Sequence, residues 1–262
     1  MNLEETKQFM IDIAKEAGQM AKEKFGSVKE YKRKEEKTQL VSEVDFAAEN
    51  IIKSRILEKF PDHAILAEES ADSGEADKDS EYLWIIDPID GTRNFLHGHP
   101  SFGVSIALAK DKEVILGVVH FPIYDWVYVA EKGKGAEKNG EAITVSDRTP
   151  DSEEDMMGNF GCNFSREKDE QIEVFSKLID IVKKVRIEGS ATFGFCLVAE
   201  GVYDCYIQRF IKPWDYAASA LIIEEAGGKV TDYEGKAWGI DMGGKIISSN
   251  GKFHDKLIEI SE

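Results

Sequence analysis

Apolar residues recur at helical spacing near the start of the chain. One set marks a single face over the first 25 residues: Leu3, Met10, Ile13, Ala14, Ala17, Met20, Ala21 and Phe25. A second set follows further along: Phe46, Ile51, Ile52, Ile56 and Leu57. This period predicts two helices, the first ended by Gly26 and the second ended before Pro61.

Alternating apolar and polar positions then predict strands. Three such runs come close together, at 103–108, 114–119 and 125–130, and they predict an antiparallel sheet. A polar joint covers 147–154. Beyond it strands and helices alternate: a strand at 157–162, a helix near 171–184, a short strand at 185–187, a helix from 190 and a strand around 203–207. The second half of the chain therefore has an α/β pattern.

The stretch 84–95 carries the strongest chemical signal. The apolar run 84–86 predicts a buried strand, which we expect Pro88 to end because proline has no N–H for a strand ladder. Asp87 and Asp90 then lie at the carboxyl end of this strand. Gly91 allows close approach of a ligand, and Thr92 with the amides around it can hold a phosphate where a helix begins. Hard oxygen donors of this kind favour Mg²⁺ over Zn²⁺.

Other acidic residues also follow or begin predicted elements. Glu68 lies two residues after the short apolar strand 64–66, Asp215 opens an apolar helix that runs to Gly227, and Asp45 lies at the start of the second helix. Several acidic ends of this kind can converge on one metal cluster. The simpler interpretation is that 87–92 forms only an Asp-rich turn with a helix cap.

Two rival motifs fit the sequence less well. The Asp-x-Asp-Gly-Thr motif of haloacid-dehalogenase phosphatases has one residue between its acids, whereas two residues separate Asp87 from Asp90. Since strand side chains alternate in direction, the extra residue would re-aim the first acid. An EF-hand is excluded because the acids alternate wrongly and no Glu follows at the twelfth position.

Composition narrows the class of protein. A chain of 262 residues can bury a substantial core as one catalytic unit, with predicted subdomains at 1–147 and 148–262. The formal charge of −17 argues against nucleic-acid binding and leaves an anionic substrate in need of a metal ion. The sequence has no apolar run near the length of a membrane span and no basic start typical of a signal peptide, so we expect a soluble cytoplasmic protein. Its 3 cysteines predict reduced thiols.

Four blocks together resemble the inositol monophosphatase family of Mg²⁺-dependent, lithium-sensitive phosphatases. They are Leu-Val-x-x-x-Asp at 40–45, Glu-Glu-Ser at 68–70, Asp-Pro-Ile-Asp-Gly-Thr at 87–92 and Trp-Asp-x-Ala-Ala at 214–218. A fifth block, Gly189-Ser190-Ala191 followed by 198–201 and Asp204, resembles the family's substrate-side helix. The resemblance implies an α/β (α+β) fold, a layered αβαβα sandwich of the inositol monophosphatase and fructose-1,6-bisphosphatase type. It also implies a metal site between the two halves.

The resemblance further implies the roles of individual residues. The expected ligands of two or three Mg²⁺ ions are Glu68, Asp87, the carbonyl oxygen of Ile89, Asp90 and Asp215. Thr92 and Asp45 would orient and deprotonate the attacking water, with Glu68 assisting. No Ser, Cys or His is placed as a nucleophile, so we expect no phosphoenzyme. The expected substrate contacts are Asp90, Gly91, Thr92, Gly189, Ser190, Ala191, Gln208 and Asp215.

Two departures from the family pattern leave the substrate open. Gln208 stands where relatives acting on inositol monophosphate commonly carry Glu, and the Arg209 beside it can pair with a second anion. Arg93 stands where many relatives have Thr, and we expect it to face solvent or to be structural. Inositol 1-phosphate is the leading candidate. Fructose 1,6-bisphosphate, 3′-phosphoadenosine 5′-phosphate, histidinol phosphate and NADP(H) remain alternatives.

The resemblance also carries expectations about partners. Family members are commonly homodimers inhibited by lithium, and neither a membrane nor a nucleic-acid partner is expected. An alternative of another class is a protein that works mainly by binding the transcription machinery.

Some segments and side chains are expected to lie outside the site. The charged run 29–37 predicts a solvated hairpin or loop, which the resemblance suggests closes over the metal, and 71–80 predicts an exposed loop. His97 and His99 lack the spacing of metal ligands, and we expect His63 and His254 at the surface.

Overall fold

The structure is a computed structural model, and it describes residues 1–28, 30–33, 40–71, 79–152, 155–163, 165–242 and 244–261. Its helices are α1 Leu3–Lys24, α2 Glu43–Lys59, α3 Thr92–Leu96, α4 Lys168–Val182, α5 Ala191–Ala199, α6 Pro213–Glu225 and α7 His254–Ser261. Its strands are β1 Lys32–Arg33, β2 Leu40–Val41, β3 Ala64–Ala67, β4 Tyr82–Asp90, β5 Gly103–Lys110, β6 Glu113–Phe121, β7 Trp126–Glu131, β8 Gly135–Lys138, β9 Glu141–Ile143, β10 Met157–Gly161, β11 Lys184–Arg186, β12 Cys205–Ile211, β13 Lys229–Thr231 and β14 Gly244–Ser249.

Most strands belong to two large sheets. In the first, β3 to β9 follow one another in chain order; β3 and β4 are parallel, and the remaining neighbours are antiparallel. The second has the order β11-β10-β12-β14-β13 and mixes parallel with antiparallel pairs. The short strands β1 and β2 form a separate antiparallel pair.

The helices and sheets stack in five layers. Helices α1 and α2 pack on one face of the first sheet, and α5 and α6 pack between the two sheets. Helices α4 and α7 cover the outer face of the second sheet. This order is the αβαβα sandwich that the family resemblance implied, so the predicted fold class is confirmed.

Strand β4 lies in the first sheet, between two layers of helices, so its side chains are apolar on both faces. Trp84 and Ile86 belong to the core under α1 and α2, whereas Leu83 and Ile85 belong to the core under α5 and α6. By the same alternation Asp87 faces the α5 and α6 layer. The acidic end of β4 therefore points into the space between the two sheets.

The helices and strands predicted from periodicity are found where they were expected. Helix α1 ends at Lys24, just before Gly26, and α2 ends before Pro61. The three predicted strands of the first sheet are β5, β6 and β7, and they pair in antiparallel fashion. Helices α5 and α6 from the second half of the chain share one core with strands of the first half.

The prediction that Pro88 ends its strand is wrong. Strand β4 continues to Asp90, but its register with β5 shifts, because Asp87 pairs with Ser105 and Asp90 pairs with Gly103. One extra residue therefore lies on β4, which is a β-bulge. A bulge accommodates proline because no ladder hydrogen bond is required from its nitrogen.

Of the two histidines expected at the surface, one is buried and the other is half-buried. His254 is 1% exposed, and its ring nitrogens lie 2.8 Å from Thr231 Oγ1 and 2.8 Å from Ser249 Oγ. His63 is half-buried, stacked between Phe60 and Tyr82. Helical and strand spacing could not reveal these neighbours because they come from other elements.

Two of the predicted surface segments lie partly outside the described residues. Residues 29 and 34–37 of the predicted closing segment lie outside the described residues, as do residues 72–78 of the predicted exposed loop. Among the described residues, no helix has the length and apolar character needed to cross a membrane.

Candidate active site

Two parallel strands bring Glu68 beside Asp87. Strand β3 pairs with β4 so that Ala67 lies opposite Ile86, and the Glu68 N–H donates to the Ile86 carbonyl oxygen at 3.1 Å. Besides burial, the charge of Glu68 raises the pKa of the Asp87 carboxyl group. Carboxyl ends of parallel neighbours meet at one sheet edge, which is why the two acids come together although 19 positions separate them.

Three aspartates form the centre of the site. One carboxylate oxygen from each of Asp87, Asp90 and Asp215 lies within 4.8 Å of the other two. Asp87 is 1% exposed and Asp90 is 7% exposed, while Asp215 is half-buried. The bulge after Asp87 allows both β4 acids to reach this point.

Helix α6 fixes the third aspartate. Pro213 occupies the first turn of α6, where a missing N–H costs no helical hydrogen bond. Asp215 Oδ2 accepts from the Lys212 N–H at 2.7 Å, which closes a capping interaction. This contact fixes the Asp215 carboxylate at the start of α6, beside the two β4 acids.

The cluster is electrostatically costly without a cation. Burial raises the pKa of Asp87 well above its usual range, and the charges of Glu68, Asp90 and Asp215 raise it further. Burial also raises the pKa of Asp90, although hydrogen bonds from Ser190 and Thr192 oppose the rise. Three or four clustered carboxylate oxygens fit a hard divalent cation such as Mg²⁺, which would remove this repulsion.

The start of α5 holds Asp90. Its Oδ2 accepts from Ser190 Oγ, from Thr192 Oγ1 and from the Thr192 N–H at 2.8 Å, and its Oδ1 accepts from the Ala191 N–H at 3.2 Å. An anion is favourable at a helix N-terminus. Ser190 and Ala191, which sequence reasoning assigned to substrate, therefore also fix a cluster aspartate. Sequence reasoning missed Thr192, which follows the matched block directly.

A second polar contact joins the start of α3 to the start of α2. Thr92 Oγ1 lies 3.0 Å from Asp45 Oδ1 and 3.1 Å from the Ile89 carbonyl oxygen. Asp45 is fully buried, and its Oδ2 accepts from Ser42 N at 2.8 Å and from Ser42 Oγ at 2.6 Å. Burial raises the pKa of Asp45, and the hydrogen bonds from Ser42 and Thr92 oppose this rise.

Position 91 has no room for a side chain, so glycine is required there. It has φ +83°, and an added Cβ would lie 3.0 Å from the Ser101 carbonyl oxygen and 3.1 Å from Ser190 Cβ. This glycine lets the chain turn directly from Asp90 into Thr92 while α5 packs against the turn.

Asn94 is another residue that sequence reasoning missed. Its Nδ2 donates to the Ser101 and Glu188 carbonyl oxygens, each at 2.7 Å. Gly189 has φ +72° and packs against this amide, since an added Cβ would lie 2.9 Å from Asn94 Oδ1. Asn94 thus ties the segment before α5 to the loop after α3, a link with no local sequence signal.

A cavity of about 200 Å³ opens beside the cluster. Its walls include Asp90, Asp215, Gly189, Ser190, Ala191, Gln208, Tyr206, Asn159, Phe160, Gly161, Cys162, Ile187 and Phe210. The substrate residues expected from the sequence therefore meet the aspartates here, with the exceptions of Gly91 and Thr92, which do not line this cavity.

One wall of the cavity is polar. Gln208 Oε1 accepts from the Tyr206 hydroxyl. Asn159 is 1% exposed, and within the described part of the chain neither Oδ1 nor Nδ2 of its side chain has a hydrogen-bond partner. A buried amide without partners costs about 1–3 kcal/mol, so a ligand hydroxyl or a water is favoured at this wall.

Arg209 does not reach the cavity. Strand alternation sends it to the opposite face of β12 from Gln208, where its Nη1 lies 2.5 Å from Glu167 Oε2 and 2.5 Å from Glu170 Oε2. Arg209 therefore pairs with two carboxylates of this chain rather than with a substrate anion. Arg93 is exposed, as are His97 and His99.

Comparison with known proteins agrees with this geometry. The family model described as "Inositol monophosphatase family" matches residues 2–262. The chain is 36% identical to a fructose-1,6-bisphosphatase/inositol-1-monophosphatase of Aquifex aeolicus, over 99% of this chain and 97% of that protein. The solved structure of the IMPase of Thermotoga maritima superposes with a TM-score of 0.88 at 37% identity, covering 97% of this chain and 95% of that one.

A third relative has a different name. The solved extragenic suppressor protein suhB of Bartonella henselae superposes with a TM-score of 0.89 at 32% identity, covering 97% of each chain. Fold, acidic cluster and sequence therefore agree, and the chain belongs to the inositol monophosphatase family as an inositol monophosphatase-like hydrolase.

Proposed function

We propose that the protein is a Mg²⁺-dependent phosphomonoesterase that hydrolyses inositol 1-phosphate or a similar small polyol phosphate. The observation that carries this proposal is the meeting of Asp87, Asp90 and Asp215 within 4.8 Å, beside a polar cavity. Phosphate esters are anionic, and the chain has a formal charge of −17. A cation held by these acids gives such a substrate a place to bind.

The proposed ligands are those expected from the family resemblance: Glu68, Asp87, the Ile89 carbonyl oxygen, Asp90 and Asp215. Two or three Mg²⁺ ions held there would neutralise the phosphate charge, lower the pKa of a water and stabilise the leaving alkoxide. The carboxylate donor set and the raised pKa values of Asp87 and Asp90 support this choice of metal.

Thr92 and Asp45 are the proposed proton acceptors. The Thr92 hydroxyl has one proton and two acceptors, Asp45 Oδ1 and the Ile89 carbonyl oxygen. When it donates to Asp45, its lone pairs are free to accept a proton from the attacking water. The proton then passes through Thr92 Oγ1 to Asp45 Oδ1, while Ser42 keeps that carboxylate in place.

Direct attack by water is favoured over a covalent phosphoenzyme. Cys162 lines the cavity, but burial raises the pKa of its thiol, so little thiolate forms at neutral pH. The Ser190 hydroxyl donates to Asp90 and its oxygen accepts from the Phe193 N–H at 3.2 Å, so the oxygen is engaged in the helix cap rather than available to attack the phosphate.

The cavity supports a small, hydroxylated leaving group. Its volume of about 200 Å³ lies below the roughly 300–1,000 Å³ of typical pockets for drug-sized ligands, which favours a small group within this cavity. The amides of Gln208 and Asn159 can each donate to and accept from a polyol hydroxyl. Fructose 1,6-bisphosphate and histidinol phosphate remain alternatives.

Phosphate release from a substrate panel tests the proposal. The panel contains inositol 1-phosphate, fructose 1,6-bisphosphate, histidinol phosphate, 3′-phosphoadenosine 5′-phosphate and NADP⁺, each with Mg²⁺ or with EDTA. Asp90→Asn and Asp215→Asn are the matched variants, and the second keeps an oxygen to accept from the Lys212 N–H. Mg²⁺-dependent release from the polyol phosphate, lost in both variants, is the expected result.

Absence of release from every compound would overturn the phosphatase proposal. It would favour the alternative in which the protein acts by binding transcription machinery. Cells in which the Asp90→Asn variant replaces wild type without loss of the protein's cellular role would also favour the binding alternative.

We further propose a homodimeric, lithium-inhibited enzyme located in the cytoplasm, all three as the family resemblance and the sequence suggest. Li⁺ could enter an oxygen-lined Mg²⁺ position without supplying enough charge for turnover. Light scattering measures the first property, and inhibition of phosphate release by LiCl measures the second.

A further inference from the structure

Helix α2 carries three polar residues along one edge, at intervals of four: Asp45, Glu49 and Lys53. Residues spaced in this way lie above one another on a helix. Each of the three contacts a segment that ends in the active site. Asp45 contacts Thr92, and the other two contact the turn that follows β3.

Glu49 is a buried carboxylate with a backbone partner. It is 4% exposed, and its Oε2 accepts from the Glu69 N–H at 2.8 Å. A buried charge is costly unless it is hydrogen-bonded and paired. Its Oε1 lies 3.8 Å from Lys53 Nζ, which supplies the opposite charge.

Lys53 completes the attachment of the turn. Its Nζ donates to Ser70 Oγ at 2.9 Å. On the other side, the Glu68 N–H donates to the Ile86 carbonyl oxygen at 3.1 Å. Three consecutive residues, 68 to 70, are therefore each fixed by a hydrogen bond, one to β4 and two to α2.

We propose that Glu49 and Lys53 are positioning residues that hold the Glu68–Ser70 turn, and with it the Glu68 carboxylate, against the aspartate cluster. One helix then sets the place of Glu68 through Glu49 and the place of the Thr92 hydroxyl through Asp45. A helical turn is stiff, with a pitch of about 5.4 Å, so the spacing between the two groups is fixed before any metal binds. This inference rests on the proposed function, in which Glu68 is a metal ligand.

The chemistry of Glu49 also explains why it does not join the cluster. A further carboxylate placed beside Glu68 and Asp87 would add repulsion. Glu49 instead accepts a hydrogen bond from a backbone N–H and pairs with Lys53. Residues that orient ligands in this way typically change metal affinity or activity about 10- to 100-fold when they are removed.

Four single variants test the proposal. Glu49→Ala removes the acceptor, whereas Glu49→Gln keeps an oxygen for the Glu69 N–H. Lys53→Met keeps the apolar stem and removes the charge. Glu58→Ala removes an exposed carboxylate of the same helix and is the matched control. Mg²⁺ binding is followed in each variant by calorimetry and by the rise in melting temperature, and kcat and KM are measured separately.

The expected result is a graded loss of Mg²⁺ affinity. Glu49→Ala should raise the half-saturating Mg²⁺ concentration about 10- to 100-fold, and Lys53→Met about 3- to 10-fold. Glu49→Gln should stay within about 3-fold of wild type, and Glu58→Ala should be unchanged. With Mg²⁺ saturating, kcat should recover more than it does at limiting Mg²⁺, because the ligand is displaced rather than removed.

Other results would overturn the proposal. A purely structural role predicts that Glu49→Ala and Lys53→Met melt earlier but bind Mg²⁺ like wild type. If Glu49→Ala does not fold, Lys53→Met with wild-type Mg²⁺ affinity contradicts the positioning role. If wild type binds Mg²⁺ but releases no phosphate, only the proposed function is overturned. If wild type shows no Mg²⁺ response, the proposed function and the positioning role are both overturned.

Discussion

Asp87→Asn should make the metal-free protein more stable while removing its response to Mg²⁺. Asp87 is 1% exposed, and burial together with the nearby Glu68, Asp90 and Asp215 raises its pKa well above the usual range. Asparagine fits the same place. Its Oδ1 can accept from the Ile89 N–H, as Asp87 Oδ1 does at 3.0 Å, and its amide N–H groups can donate to the neighbouring carboxylates.

The expected gain follows from the spacing of the aspartates. Their ligand oxygens lie within 4.8 Å of one another. At this separation and an effective dielectric constant of about 20, two charges repel by about 3.5 kcal/mol. Proton uptake limits the penalty, because keeping an ordinary carboxyl group protonated at pH 7.5 costs about 5 kcal/mol. Since side chains and water relax, we expect a gain of about 2–4 kcal/mol, or about 5–10 °C in Tm.

Calorimetry in EDTA at pH 7.5 measures this gain. Asp180→Asn is the control, since Asp180 is an exposed carboxylate on α4 and its loss changes the net charge equally. Because the folded-state pKa of Asp87 is raised, its penalty exists wherever the unfolded chain ionises this group, that is, above about pH 4. The advantage of Asp87→Asn should therefore shrink as the pH falls toward about 4. Mg²⁺ should raise the Tm of wild type and not that of Asp87→Asn.

Two results would refute this reasoning. Asp87→Asn that is no more stable in EDTA than Asp180→Asn would show that the carboxylates do not repel in the folded protein. A stability advantage that is the same at pH 7.5 and at pH 4 would show that charge is not its cause.

Three further predictions concern catalysis, packing and pH. Thr92→Ala should lower kcat about 10²- to 10⁴-fold at unchanged Mg²⁺ affinity, because it removes the hydroxyl that lies 3.0 Å from Asp45. Thr92→Ser keeps a hydroxyl and should retain most of the wild-type kcat, and steady-state kinetics of the two variants tests this. Gly117→Ala should destabilise by about 1–3 kcal/mol in urea unfolding, since its Cβ would lie 2.6 Å from the Ala218 carbonyl oxygen; an unchanged midpoint would contradict this. Burial lowers the pKa of His254 to about 4. As the pH falls, this histidine is therefore protonated in the unfolded chain before it is protonated in the folded protein, and the free energy of unfolding of wild type should fall by about 2 kcal/mol between pH 7 and pH 5. His254→Gln should lack that loss, and equal losses in the two proteins would rule out His254 as the cause.

Local sequence was enough to predict most elements and the acidic residues. The periods of the apolar residues depend only on neighbouring positions, so α1, α2 and the strands β5 to β7 were found where predicted. The acids at the end of β4 and at the start of α6 could be identified for the same reason. Pro88 misled because a β-bulge depends on the register of β4 with β5, which one strand does not encode by itself.

Contacts between distant segments required the tertiary structure. Asp215 reaches Asp87 only because α6 packs between the sheets, and Glu49 meets the Glu69 N–H because α2 packs against β4, the neighbour of β3. The sequence suggested that Arg209 could pair with a second anion of the substrate. In the fold, Glu167 and Glu170 at the start of α4 lie against its guanidinium instead.

The sequence by itself determined which residue types are available, the helical and strand segments that carry them, and the family to which the chain belongs. The tertiary structure alone decided which oxygens converge, which amide of the cavity wall lacks a hydrogen-bond partner among the described residues, and which histidine is buried. The physical reason is range. Periodicity and turn chemistry act over a few residues, whereas burial, charge repulsion and hydrogen bonding between layers depend on atoms that the fold brings together.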